Sequence, residues 1–192
     1  MERLLKNRVP SAYNYIFGEH VKRLFLLGVL LLPMLVFSQT KKLRKSQHSS
    51  LKQTIGYTDV AVEYSRPNLN GRSLFTSFVP YNKVWRTGAN FCTTLELSND
   101  INVQGKHLKK GTYSLYTIPN KDKWTIIINK KLSWGTQYTA SEDVLRFEVS
   151  SVKSKEVLET FTIQFNNLKQ HSGTLILAWS NIRVPITIRT DV

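Results

Sequence analysis

The chain has 192 residues, 41% of them apolar and 11% aromatic, which is enough to fill the core of one domain and excludes a wholly disordered chain. Lysine and arginine number 27 against 13 acids, a formal charge of +14, so polyanions are the first partners to weigh. A single cysteine, Cys92, excludes an intrachain disulfide and a Cys-rich zinc module, and nine glycines with six prolines exclude a collagen-like polymer.

The first element expected in the chain is a targeting signal. Lys22-Arg23 precede an apolar run of 14 residues, Leu24 to Phe37, too short to span a bilayer as a straight helix and right for the core of a signal peptide. Val36 and Ser38 stand at −3 and −1 if cleavage precedes Gln39. Residues 1–38 are therefore expected to be a cleaved signal peptide, with no membrane span after processing. The 21 residues before Lys22 are either a long n-region or evidence that translation starts at Val21. Removing residues 1–38 leaves 22 bases and 11 acids, a charge of +11. Export argues against a nucleic-acid partner for that charge. Lys41, Lys42, Arg44 and Lys45 crowd into residues 39–50, expected as a basic linker and a candidate attachment point for anionic envelope polymers.

From residue 54 onward, apolar residues alternate with polar ones at a period of two. Val60, Val62 and Tyr64 share one face, as do Leu95 and Leu97. Ile101 and Val103 lead into a hairpin turn at Gln104-Gly105. Tyr113 and Leu115 follow the Lys110-Gly111 turn. Trp124, Ile126 and Ile128 form a strong strand, then Leu145, Phe147 and Val149, then Phe161, Ile163 and Phe165. Leu175, Leu177 and Trp179 precede Ile182, Val184, Ile186 and Ile188, with Pro185 outward as at a sheet edge. Lys153 to Glu159 reads as a helical turn or a loop. One-sided alternation predicts sheets with one buried face. The expected fold is an all-β, antiparallel β-sandwich of about nine strands over residues 51–190, the alternative being a partly closed β-barrel.

Residues 66–92 break the pattern, and a connection this long in a compact β domain is functional more often than not. Between Glu63 and Glu96 there is no acid and there are four bases, Arg66, Arg72, Lys83 and Arg86. Guanidinium forks beside Trp85, Tyr81 and Asn90 suit a carboxylate, a phosphate or a sugar. Arg66, Arg86, Asn90, Trp85, Tyr81 and Glu63 are accordingly the candidate ligand-binding residues. The competing account pairs Glu63 and Glu96 with Arg66 and Arg86 to pin the loop.

At these residues a family pattern emerges. Val62-Glu63-Tyr64-Ser65-Arg66-Pro67, Gly71-Arg72, Val79-Pro80-Tyr81, the Trp85-to-Asn90 run, Gly111-Thr112-Tyr113-Ser114-Leu115, Trp124-Thr125, Trp134-Gly135 and Asp143-Val144-Leu145-Arg146 resemble the bacterial family called domain of unknown function 2911. The similarity runs from about Ser46 to Ile188. It implies an exported protein of Gram-negative bacteria, periplasmic or extracellular, and supplies no catalytic residues. The chain departs from the pattern where the family implies Gly-Ala-Asn-Glu-Ala: it has Gly88-Ala89-Asn90-Phe91-Cys92, so Phe91 stands where a carboxylate is expected.

Catalytic signals are sparse. His48, His107 and His171 lie in polar segments without metal-ligand spacing, and no nucleophile elbow or phosphate loop is present, so neither a metal nor a cofactor is expected. Cys92 reads as a small buried residue. Two readings follow: a non-enzymatic sandwich binding a small anion, a sugar or an envelope component, or a hydrolase or other enzyme using Glu63, Glu96 or His107.

Overall fold

The computed structural model describes residues 43–190; the expected signal segment and the first bases of the tail, Lys41 and Lys42, lie outside them. Ten strands form: β1 Gln47–Ile55, β2 Thr58–Arg66, β3 Thr93–Leu97, β4 Ile101–Val103, β5 Lys106–Leu108, β6 Gly111–Ile118, β7 Lys123–Asn129, β8 Asp143–Ser150, β9 Val152–Lys169 and β10 Ser172–Arg189. One sheet has the order β1-β2-β3-β6-β7-β8 and the other β5-β4-β10-β9, all pairs antiparallel. The sheets do not close into a barrel, and the sandwich is the architecture observed.

The alternating residues place the core. Val60, Val62, Leu95, Leu115, Ile126, Ile128, Phe147 and Val149 from the six-stranded sheet meet Ile101, Val103, Phe161, Ile163, Leu175, Leu177, Trp179 and Val184 from the other. Phe165, expected fully inside, is only partly buried against this core. A short π-helical turn, Leu74–Phe78, closes the end where Phe78 tilts onto Trp179 at 5.3 Å.

Three local expectations change. Gln47 to Ser50, expected as linker, pair with Glu63 to Arg66 and begin β1. A polar sequence gives no alternation signal, but an edge strand with one wet face needs none once its backbone is paired. Lys153 to Glu159 form the first half of β9, not a helical turn or loop. The two apolar runs after Gly173 form one strand, β10, whose ends nonetheless meet. The Thr190 N–H donates to the His171 carbonyl at 3.0 Å. Eighteen residues drawn straight span roughly 60 Å, so the strand doubles back. The bend sits at Ser180, which has φ +49°, among register shifts spanning Ala178 to Ile182. There the buried positions change from odd (Leu175, Leu177, Trp179) to even (Ile182, Val184, Ile186, Ile188), as an inserted bulge residue requires. Pro185 is tolerated in a central strand because β9 pairing stops at Arg183, leaving no ladder partner for a missing N–H.

Candidate functional site

Backbone pairing decides which way the 85–92 segment points its side chains. The Trp85 N–H donates to the Thr117 carbonyl at 2.7 Å and Thr117 returns the bond at 2.9 Å, joining the segment to β6. Successive residues of such a pair face opposite sides of the sheet. Trp85 turns inward, stacked on Trp179 at 5.7 Å and edge-on to Phe161 at 5.1 Å and Trp124 at 6.2 Å. Arg86 turns outward. The sheet thus divides the expected Trp85–Arg86 pairing.

The backbone beyond Arg86 is held in sparsely populated conformations. Thr87 has φ +54°, Gly88 +156° and Asn90 +60°. For the β-branched Thr87 a positive φ is a genuine outlier. It is sustained by full burial, by a 3.2 Å contact with the Thr117 hydroxyl, and by its carbonyl, which accepts from the Thr93 hydroxyl at 2.7 Å. Residues of this kind cost about 1–3 kcal/mol each and concentrate at functional sites.

The strained turn presents Asn90 and Phe91 to the connection between β7 and β8. The Asn90 carbonyl accepts from the Gly135 N–H and from Arg86 Nη1, both at 3.3 Å. Phe91 bridges Trp134, and the Cys92 N–H donates to the Ser133 carbonyl at 3.2 Å. The stem of Arg86 lies directly on Gly135, where a methyl would come within 2.7 Å of the arginine Cβ. Phe91, Leu132 and Trp134, on the two segments that meet here, are 46%, 45% and 50% exposed, so apolar and aromatic surface stands open to solvent. The connection is fastened at its far end. Tyr138 donates to Asp143 at 2.7 Å, Arg146 donates to the Tyr138 oxygen at 2.9 Å, and the Asn129 amide bonds Asp143 and the Thr139 carbonyl.

Beneath the connection lies a small second core of Cys92, Tyr116 and Ile127, packed by Ile118 and Tyr138. Burial pushes the Cys92 thiol up, which keeps it protonated and inert. Burial also pushes the Tyr116 phenol up; its hydroxyl has no hydrogen-bond partner, although Ser133 and Ser114 lie close.

The other sequence candidates are dispersed. Arg66 donates to the Phe161 carbonyl at 3.1 Å and the Thr162 hydroxyl at 2.8 Å, clamping β2 to β9. Arg72 lies over the Phe78 ring at 3.7 Å and donates to the Leu69 and Asn68 carbonyls. Tyr81 stacks on Phe75 at 4.4 Å. Among the described residues neither Glu63 nor Glu96 forms an ion pair with Arg66 or Arg86, so the pinning account fails; the arginines find carbonyl and hydroxyl oxygens instead. Glu63 is exposed on the outer face, two residues from Ser65, whose carbonyl accepts the Ala89 N–H. Glu96 is its diagonal neighbour and is equally open. His107 pairs with Asp100 at 3.3 Å in the hairpin of the other sheet, well apart from both. Among the described residues no three His, Cys, Asp or Glu side chains group to hold a metal, and no helix is long and apolar enough to cross a membrane.

The structure therefore brings together Arg86 and Asn90, with Glu63 on the same face, and adds Phe91, Trp134 and Gly135. Sequence spacing does not reveal the last two as neighbours of Arg86, since some fifty residues separate them and only the β7–β8 connection folds them back.

Residues 46–188 match the family model described as Protein of unknown function (DUF2911). No curated protein and no solved structure matches the chain.

Proposed function

The chain belongs to the DUF2911 family, whose description assigns no activity, and from the geometry we propose that it is an exported, non-enzymatic sandwich protein binding a small anion, a sugar or an envelope component at Arg86. One observation carries this reading: the Arg86 guanidinium donates to Asn90 alone among the described residues, next to the bridge between the half-exposed Phe91 and Trp134. A guanidinium has five N–H donors in a fixed fork. The unspent donors suit a carboxylate, a phosphoryl group or vicinal hydroxyls. The aromatic faces suit the apolar side of a sugar ring, and they lower the local dielectric around the charge. Strain in the Thr87–Asn90 backbone supports a functional role, because such strain concentrates at functional sites. Catalysis by Glu63, Glu96 or His107 is less well supported. The two carboxylates lie open to solvent, without the burial that tunes a general acid, and His107 is on the other sheet.

Two arginine variants separate binding from architecture. Arg66→Ala is expected to lose about 1–3 kcal/mol, because it strips two oxygens of β9 of their donor. Arg86→Ala is expected to lose less than about 1 kcal/mol, the packing of its stem on Gly135. It should also abolish binding to whichever member of an anionic and neutral oligosaccharide panel the unaltered protein retains. Unchanged binding by Arg86→Ala, or no binding by the unaltered protein across the panel, would refute the reading.

Export rests on residues 1–38. Amino-terminal sequencing of protein recovered from the periplasm is expected to begin at Gln39. Intact Met1 recovered in a membrane fraction would show an anchor in place of a cleaved signal.

A further inference from the structure

We propose that the surface formed by Phe91, Leu132 and Trp134 docks on an anionic phospholipid bilayer, seating its apolar side chains at headgroup level without crossing the membrane. This names the envelope component of the Arg86 reading, and it rests on that reading only in taking Arg86 as a base with donors to spare.

The backbone builds the apolar part. The Cys92 N–H donates to the Ser133 carbonyl at 3.2 Å and the Gly135 N–H to the Asn90 carbonyl at 3.3 Å, so the Phe91–Trp134 bridge between them is a non-hydrogen-bonded antiparallel pair. In such a pair both side chains leave the same face, at the closest spacing a ladder offers. Cys92 and Ser133, the next residues along, are buried on the opposite face. Phe91 and Trp134 are therefore held outward, and a flip that turned them in would drive Cys92 and Ser133 out. Leu132, on the far side of the buried Ser133, is exposed as well. Apolar side chains fixed together in the open, rather than scattered singly, mark an interaction surface.

Charge selects the partner. Lys130 and Lys131, both exposed, directly precede Leu132. The Asn90 side-chain amide donates to the Ser46 carbonyl at 3.5 Å, which brings the exposed Arg44 and Lys45 beside the same turn. Arg86 bonds the backbone carbonyl of that Asn90. Against these bases stands the exposed Glu142, whose carbonyl accepts the Lys130 N–H at 2.9 Å. In the sequence the stretch from Gln39 to Thr58 carries no acid. A tryptophan with apolar neighbours and lysines at its flank suits a membrane–water interface: the indole sits among headgroups while the lysine stems carry their charges to the phosphates. Apolar burial alone or basic attraction alone holds a protein only marginally, and stable docking takes the two together.

The test is cosedimentation of the exported protein, beginning at Gln39, with vesicles of phosphatidylethanolamine and phosphatidylglycerol, and separately with vesicles of phosphatidylcholine. The anionic vesicles should bind it at least about tenfold more tightly, and raising salt from roughly 0.05 M to 0.5 M should release it. Trp134 supplies a local readout, because Trp124 and Trp179 are buried and Trp85 is packed against the core. Tryptophan emission should shift to the blue on the anionic vesicles, and Trp134→Phe should remove that shift. Leu132→Asp, at an exposed position, should lower vesicle affinity at least about tenfold with the melting temperature unchanged. Lys130→Ala and Lys131→Ala should cost about fivefold each. The proposal is overturned if anionic vesicles bind the protein no better than neutral ones. It is also overturned if they bind it and Leu132→Asp changes nothing, since that is diffuse attraction to a basic protein. A dimer in solution that Leu132→Asp dissociates would assign the face to a second copy and equally overturn it. The oligosaccharide panel is run without lipid, so the two readings fail separately. Oligosaccharide retained with no vesicle binding sinks the docking surface alone; vesicle binding with no oligosaccharide retained supports it and sinks the soluble ligand at Arg86.

Discussion

Phe161→Ala is expected to lose about 3–5 kcal/mol in urea denaturation, the largest effect of any single substitution considered for this fold. Phe161 is 1% exposed and lies at the meeting point of the two sheets. Its ring is edge-on to Tyr64 at 5.7 Å and to Trp85 at 5.1 Å, and tilted to Trp179 at 5.7 Å. Its own backbone is tied from both sides, so the strand cannot shift to close the space. The Phe161 N–H donates to the Pro67 carbonyl at 2.9 Å, and its carbonyl accepts from Arg66. A residual cavity is therefore retained, and cavity volume is what makes large-to-small changes costly. Phe165 lies on the same strand face but only partly inside, so Phe165→Ala should lose less than about 2 kcal/mol. Comparable losses at the two positions, both under about 1 kcal/mol, would show that the core lies elsewhere.

Gly88→Ala is expected to lose at least about 2 kcal/mol and to abolish ligand retention at Arg86 together with stability. Two costs add. The φ of +156° is one that L side chains rarely adopt, a strain of about 1–3 kcal/mol. The new methyl would also sit 2.9 Å from the Ser65 carbonyl, which belongs to a strand paired on both flanks and cannot retreat. Gly105→Ala separates the two. It has φ +75° and nothing within 4 Å of the added carbon, so it should show only the conformational cost of about 1–2 kcal/mol. If Gly88→Ala costs no more than Gly105→Ala, the loop yields to the methyl and its geometry is not held by β2.

The face assignments were legible because a strand's side-chain period is two and does not depend on its neighbours. Val60 to Tyr64, Trp124 to Ile128 and Phe161 to Ile163 each carry their own inside and outside, and the sandwich follows from burying those faces against one another. The Gln104-Gly105 turn was legible for a similar reason, since its chemistry is local: both residues have positive φ, at +48° and +75°. The family membership was legible in the Trp85-to-Asn90 string. Local signals stop where a residue's role is set by partners distant in the chain. Nothing in the order Trp85-Arg86 says that a bridge to Thr117 will send one side chain into the core and the other to the surface. Nothing near Arg66 names the Phe161 carbonyl as its acceptor, 95 residues away, and so the charge count alone assigned it a ligand or a carboxylate. Likewise Gly56 and Thr190 approach each other only because β10 doubles back at Ser180, a bend set by bulge geometry and pairing with β9 and β4. Alternation along the chain thus settled which face of each strand turns inward. Which arginine clamps β2 to β9 and which keeps most of its donors unspent was settled by contacts between strands, because a guanidinium takes whatever oxygen the assembled sheets bring within reach.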